Sequence, residues 1–261
     1  MYEQASELAP FNTVPLANLY FTHIGYRHDP TAAEQAARRL VEVAPRMDHA
    51  HNAVAWSLIA QGRLEEAIDP LSAALEINPK HPYALPNMAH VLLALDRADE
   101  AVPLYREVLE MARSGELGGG PDKSTFDLAY ATERTGDLAK AAEIARQGRA
   151  TILDRLDGQS ACAHDLLIVG QFDVIVGDRS AARSRLAAAV ATGVADPGDM
   201  MHLAELHALL GDRDRSIEVL QETLEAGYPD PFLPRVLPAF GSVRDDPRFE
   251  ALMAPQVEPH S

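Results

Sequence analysis

The sequence predicts an all-α protein, a solenoid of about six helix pairs, on three observations. A small residue recurs at a fixed interval: Ala33, Ala67 and Ala101 are 34 residues apart, Ala141 and Ala182 follow after insertions of six and seven, and Ser216 returns to 34. Five residues before each of the last five stand Gly62, Asp96, Gly136, Gly177 and Gly211, types that tolerate the left-handed backbone of a turn between two helices. The composition is 47% hydrophobic but only 6% aromatic, which suits close-packed helices better than sheet, where β-branched and aromatic side chains prevail. Such a period means stacked repeats, so the count of separate domains is the wrong question.

Taken in order, residues 1–13 read as a helix ending near Pro10 that lacks a partner. It is either a lone N-terminal cap or the truncated last helix of a longer protein. The unit 14–47 departs most from the pattern, with His28 in the glycine position and HDPT as its turn, but it keeps Ala33, Leu40 and Pro45. In 48–81, Val54, Leu58, Leu64, Ala67, Leu71, Ala74 and Leu75 carry helical spacing, and Pro79 stops the second helix. The unit 82–115 repeats this through Met88-Ala89, Ala101 and Tyr105, and 122–155 through Leu128-Ala129, Gly136 and Ala141. The unit 163–196 does so through Val169-Gly170, Gly177, Ala182, Leu186 and Ala189, and 197–227 through Leu203-Ala204, Gly211 and Leu220. The Gly- and Ser-containing insertions at 113–121 and 156–162 read as linkers.

This pattern resembles the tetratricopeptide repeat, of bacterial type, over about residues 14–227. The resemblance implies a right-handed superhelix whose first helices line a concave, peptide-binding groove. Carried over residue by residue, it points to Asn18, Thr22, His49, Asn52, Trp56, Tyr83, Asn87 and His90, then Lys123, Phe126, Tyr130, Arg134 and Gln171, with Asp127, His164, His202 and Glu205 alongside. Asparagines in such a lining both donate to and accept from an extended backbone, and aromatics bury its side chains. Trp56, the sole tryptophan, is the expected anchor; packing between first helices is its alternative use. The carboxylate clamp of one subfamily is incomplete, because Asn52, Trp56 and Asp127 stand where it has a lysine, an asparagine and an arginine. The segment 228–261 resembles the ending of repeat arrays in multidomain signalling proteins through Asp246, Pro247, Phe249 and Leu252, with a short helix around Pro247 to Met253 covering the last apolar face.

A net charge of −16 repels phosphate backbones and anionic lipid, so neither nucleic acid nor membrane is an expected partner. No run of about 18 apolar residues occurs, and the acidic N-terminus lacks the basic segment of a secretory signal, so a cytoplasmic location is expected. Cys162 stands alone, which excludes an intramolecular disulfide.

Catalytic machinery is not apparent. GELGGGPDKST has Asp122 where a phosphate-binding loop requires glycine before its lysine. His49 and His51 are two apart and His202 and His207 five apart, spacings that do not co-align metal ligands on a helix. We therefore expect no enzyme, no cofactor, no metal, and a protein or peptide ligand. Two alternatives stand beside this: a regulatory or sensory arm of a larger signalling protein such as a transcription regulator or nucleotide cyclase, or a self-assembling scaffold, a homodimer through its N-terminal helix.

Overall fold

The computed structural model describes Gln4 and residues 12–117, 120–156 and 161–254. The N-terminal capping helix, the dimer contact expected of it and the last residues of the tail lie outside this range. Among the described residues there are thirteen α-helices and no strand. They are α1 (Thr13–Phe21), α2 (Pro30–Val43), α3 (Asp48–Ala60), α4 (Leu64–Ile77), α5 (Ala84–Ala94), α6 (Ala98–Ser114), α7 (Pro121–Arg134), α8 (Leu138–Arg155), α9 (Ala163–Val176), α10 (Arg179–Thr192), α11 (Pro197–Leu209), α12 (Arg213–Glu225) and α13 (Pro247–Met253). They belong to two compact units. Unit 1 runs to Val91 and takes in Phe232–Val236 and Met253 onward; unit 2 comprises Leu92–Pro231 and Leu237–Leu252.

The recurring small residue is what lets paired helices approach. Ala33, Ala67, Ala101 and Ala182 are fully buried, as is Ala141 to within 1%. Ser216 is also fully buried, and its hydroxyl donates to the Ala204 carbonyl at 2.9 Å, so the polar substitution costs little. The turn preceding each such residue is left-handed throughout. Glycine fills four of the six positions, while His28 (φ 49°) and Asp96 (φ 57°) adopt the same conformation with a side chain, a mild strain that Asn, Asp and His accept most readily. Asp29, Asp137 and Asp178 cap the second helices that follow, each accepting a backbone N–H three residues on.

In unit 1, α1 packs on α2, α2 on α3 and α3 on α4. Leu16, Leu40 and Ala50 form a core there, with Met47 and Val43 against it. Helix α1 runs into a π-turn over Thr22–Tyr26, in which the Thr22 hydroxyl donates to the Asn18 carbonyl at 2.7 Å.

In unit 2, α6 packs on α7, α7 on α8, α8 on α9, α9 on α10 and α11 on α12, and α9 also touches both α7 and α11. Phe126, Ile152, Ile168, Val169 and Phe172 are the centre of its core. Gly148 brings α8 tightly onto α9: a Cβ there would lie 2.5 Å from Phe172 Cζ and 2.9 Å from Thr125 Cγ2. After α12 the chain makes 3₁₀ turns at Leu233–Arg235 and Pro238–Ser242 before α13. The second turn packs on α11 and also on α7. Because α9 lies between those two, the turn crosses the face made by the first helices α7, α9 and α11. The burial pattern agrees: Leu167 to Asp173 and Leu203 to Ala208 are buried without a break, where a helix with one open side would alternate.

Covering this face is mainly the work of Leu237, Pro238, Ala239, Phe240 and Val243, and less of α13, which contributes Phe249. Helical periodicity singled out α13 and was blind to the proline-rich irregular stretch before it.

Gly148→Ala is predicted to destabilise the protein. Overpacking against a fully buried Phe172 costs about 1–3 kcal/mol, which outweighs roughly 1 kcal/mol of helix propensity gained. A lowered urea midpoint with an unchanged slope is the expected reading.

Candidate functional site

In unit 1 the first-helix residues divide by depth. His49 and Tyr83 are exposed, Tyr83 to 62%, whereas His90 is buried and Asn18, Thr22, Asn52, Trp56 and Asn87 are half-buried. The Asn87 amide donates to Asn52 Oδ1 at 3.2 Å. Whichever way the two amides are turned, this bond leaves three N–H groups and one carbonyl of the pair outside it. Thr22 is the least available of these residues, since its hydroxyl is committed inside the π-turn. The face is partly covered at the turn end, where the Phe232 ring meets His28 at 6.2 Å and Arg235 Nη1 lies 3.1 Å from the position a Gly62 Cβ would take.

A histidine pair borders this face. His81 is fully buried and its Nδ1 accepts from the backbone N–H groups of Tyr83 (3.2 Å) and Ala84 (3.0 Å), which makes it the N-terminal cap of α5. Its Nε2 therefore carries the proton and donates to His49 Nδ1 at 3.0 Å. Asp48, beside them, accepts from the His49 N–H and from Asn78. Asp48, His49 and His81 are the one trio among the described residues whose ligand atoms lie within 4.8 Å of one another. A cation there would have to displace the proton that links the two rings. Sequence spacing weighed His49 with His51 and missed His81; its place two and three residues before a helix start was the available signal.

In unit 2 the first-helix face holds a buried charge cluster. Glu205, fully buried, accepts from His202 Nδ1 and Gln171 Nε2, both at 2.9 Å, and pairs with Lys123 Nζ at 3.2 Å. Lys123 also pairs with Asp127 at 2.8 Å and lies over the Phe126 ring, 4.8 Å from its centroid. Burial pushes the Glu205 carboxyl up, but Lys123, His202 and Gln171 together outweigh it and hold it down at about 2. Burial lowers the Lys123 ammonium, and Asp127 and Glu205 more than reverse this. Tyr228, just past α12, lies in the field of Glu205, and its hydroxyl is pushed up to about 12, chiefly by burial.

Two of the expected ligand-facing residues are core instead. Phe126 is fully buried with Phe172 at 6.2 Å between ring centroids, and Gln171 is fully buried on Glu205. Arg134 is exposed but ion-paired with Asp96 at 2.6 Å. Tyr130 is half-buried, its hydroxyl 3.5 Å from where a Gly241 Cβ would stand.

Two family models, each described as tetratricopeptide repeat, match residues 25–82 and 58–117. Over these residues the chain carries tetratricopeptide repeats. Such repeats are in general interaction modules for protein or peptide partners, and not enzymes. Solved structures share the fold at low identity. MamA (41 to end) from Desulfovibrio magneticus RS-1 is 16% identical at TM-score 0.53, over 69% of this chain and 94% of that one. A tetratricopeptide repeat protein from Parabacteroides merdae is 13% identical at TM-score 0.53, over 92% and 97%. YrrB, described as having an unusual peptide-binding site, is 16% identical at TM-score 0.52, over 79% and 96%. No curated protein matches. No helix among the described residues is long and apolar enough to cross a membrane.

Two predictions follow from the clusters. Glu205→Gln leaves Lys123 facing Asp127 alone and costs about 3 kcal/mol; it also flattens the loss of stability between pH 4.5 and 2, the window in which the depressed Glu205 takes up its proton. Calorimetry across that range measures both. Burial first, and then His49, hold His81 below the usual imidazole value of 6.5. Its contribution to stability is thus complete above that value and lost as pH falls through the folded value, because a protonated Nδ1 cannot cap α5. His81→Asn, which caps without titrating, is expected to flatten the melting temperature between pH 7 and 5.

Proposed function

We propose that the protein binds an extended peptide segment of a partner protein on the first-helix face of unit 1. One observation carries this: the Asn52–Asn87 pair keeps a donor and an acceptor beside half-buried Trp56 and exposed Tyr83. An extended backbone presents alternating N–H and C=O groups that match such a pair, and the aromatics supply apolar area for its side chains. His49, exposed on the same side, adds a further polar contact, and Asn18 extends the row. With a net charge of −16 on the chain, a basic or neutral partner is favoured over an acidic one.

One face engaging one peptide gives an affinity of about 1 μM, roughly −8 kcal/mol. We predict that a peptide selected by display on the immobilised full chain binds in calorimetry with such an affinity. Trp56→Ala and Asn87→Ala should each weaken it about tenfold or more, at about 1–2 kcal/mol per anchor. Affinity unchanged by both substitutions, with folding intact, would rule the face out.

A further inference from the structure

The first-helix face of unit 2 is a ligand site already filled in cis. We propose that Leu237–Arg244 is its resident ligand, and that the ligand class it takes in trans is a peptide of the same chemistry: a proline, an aromatic residue two positions later and an arginine four beyond that. This rests on the reading of first-helix faces as peptide sites.

The segment is held as a ligand is held. Its backbone bonds are internal to itself: Phe240 N–H donates to Leu237 O, and the N–H groups of Val243 and Arg244 donate to Phe240 O. Arg244 Nη2 folds back on Leu237 O at 2.7 Å. Of its bonds to the helices, the structure gives one, from Ser242 Oγ to Ala208 O at 3.1 Å. The ion pairs just beyond it, Arg213–Asp245 and Arg248–Asp214, join exposed partners and add little. Attachment therefore comes from side-chain anchors. Leu237, Ala239, Phe240 and Val243 are buried to 4% exposure or less, and Arg244 lies in the field of the Tyr130 and Tyr105 hydroxyls and Asp96.

The face beneath has ties of its own. Glu205 meets Lys123, Gln171 and His202, and Lys123 also pairs with Asp127, across α7, α9 and α11. The connection to α12 begins with an exposed bend, in which Gly227 has φ 86°, and runs through Phe232–Val236, which belong to unit 1, before reaching Leu237. A tether of this length gives an effective concentration of about 1 mM, so a ligand of about 1 μM intrinsic affinity is bound in cis about a thousandfold over being free. Trans ligands meet that same thousandfold barrier.

The test inserts a protease site after Gly227 in the full chain, lets the protein fold, and then cuts it. A fluorescein-labelled peptide of residues 237–252, the part of the fragment that belongs to unit 2, is added to cut and uncut protein. The expected result is micromolar binding and exchange of the fragment in the cut protein, binding about a thousandfold weaker in the uncut protein, retained helical circular dichroism, and competition at least tenfold weaker from a Phe240→Ala peptide. Loss of helical signal as the fragment leaves overturns the proposal, because the segment is then part of the core. Failure of the fragment to exchange, even on long dilution, overturns it as well, as does equal competition by the Phe240→Ala peptide. Trp56→Ala, introduced in the same cut protein, should leave the exchange unchanged, so failure of the unit 1 site and failure of this one are read separately.

Discussion

The approach of two helices at one small side chain is the constraint on which the rest of this structure depends. Where Ala33, Ala67, Ala101, Ala141, Ala182 and Ser216 are buried to 1% exposure or less, only a methyl or hydroxyl separates the second helix from its neighbours, and close packing rewards every contact made there. A pair fixed in this way must reverse direction within a few residues, which imposes the left-handed turn five positions earlier. It also leaves the first helix with a side that its partner cannot cover, and in unit 2 the chain covers that side itself.

Covering an apolar and polar face at once creates an electrostatic problem. Glu205 sits in a protein of net charge −16 with no access to solvent, and an isolated carboxylate there would take up a proton. Lys123 resolves this from α7 and His202 and Gln171 resolve it from α11 and α9, so three first helices are tied by one buried charge. The geometry that stabilises Glu205 also fixes the spacing of the floor on which Leu237–Arg244 rests.

The periodic part of the fold was legible because each repeat answers to the same local rules. Even the two departures were readable: His28 and Asp96 stand in the glycine position and take its left-handed backbone. Side-chain availability was less legible. Phe126 and Gln171 occupy groove positions in the repeat, yet their burial depends on Phe172 and Glu205 in the next pairs and on the segment above, contacts that no single repeat contains. His81 escaped because its partner is thirty-odd residues away, at the start of another helix. The course of 232–244 has no period at all, since short 3₁₀ turns around prolines satisfy their backbone bonds locally and leave no pattern in the sequence.

The two faces consequently stand in different states although they are built by the same repeat. In unit 1 the Asn52–Asn87 pair retains unmet hydrogen-bonding capacity, and an amide pair half-buried next to Trp56 gains when a backbone meets it there. In unit 2 the charges pair with one another and the apolar area is under Phe240 and Val243. Binding selectivity in a solenoid is usually sought in which side chains line the face. Here one such face lies under a stretch of chain whose own backbone bonds are local, so what covers a face matters beside what lines it.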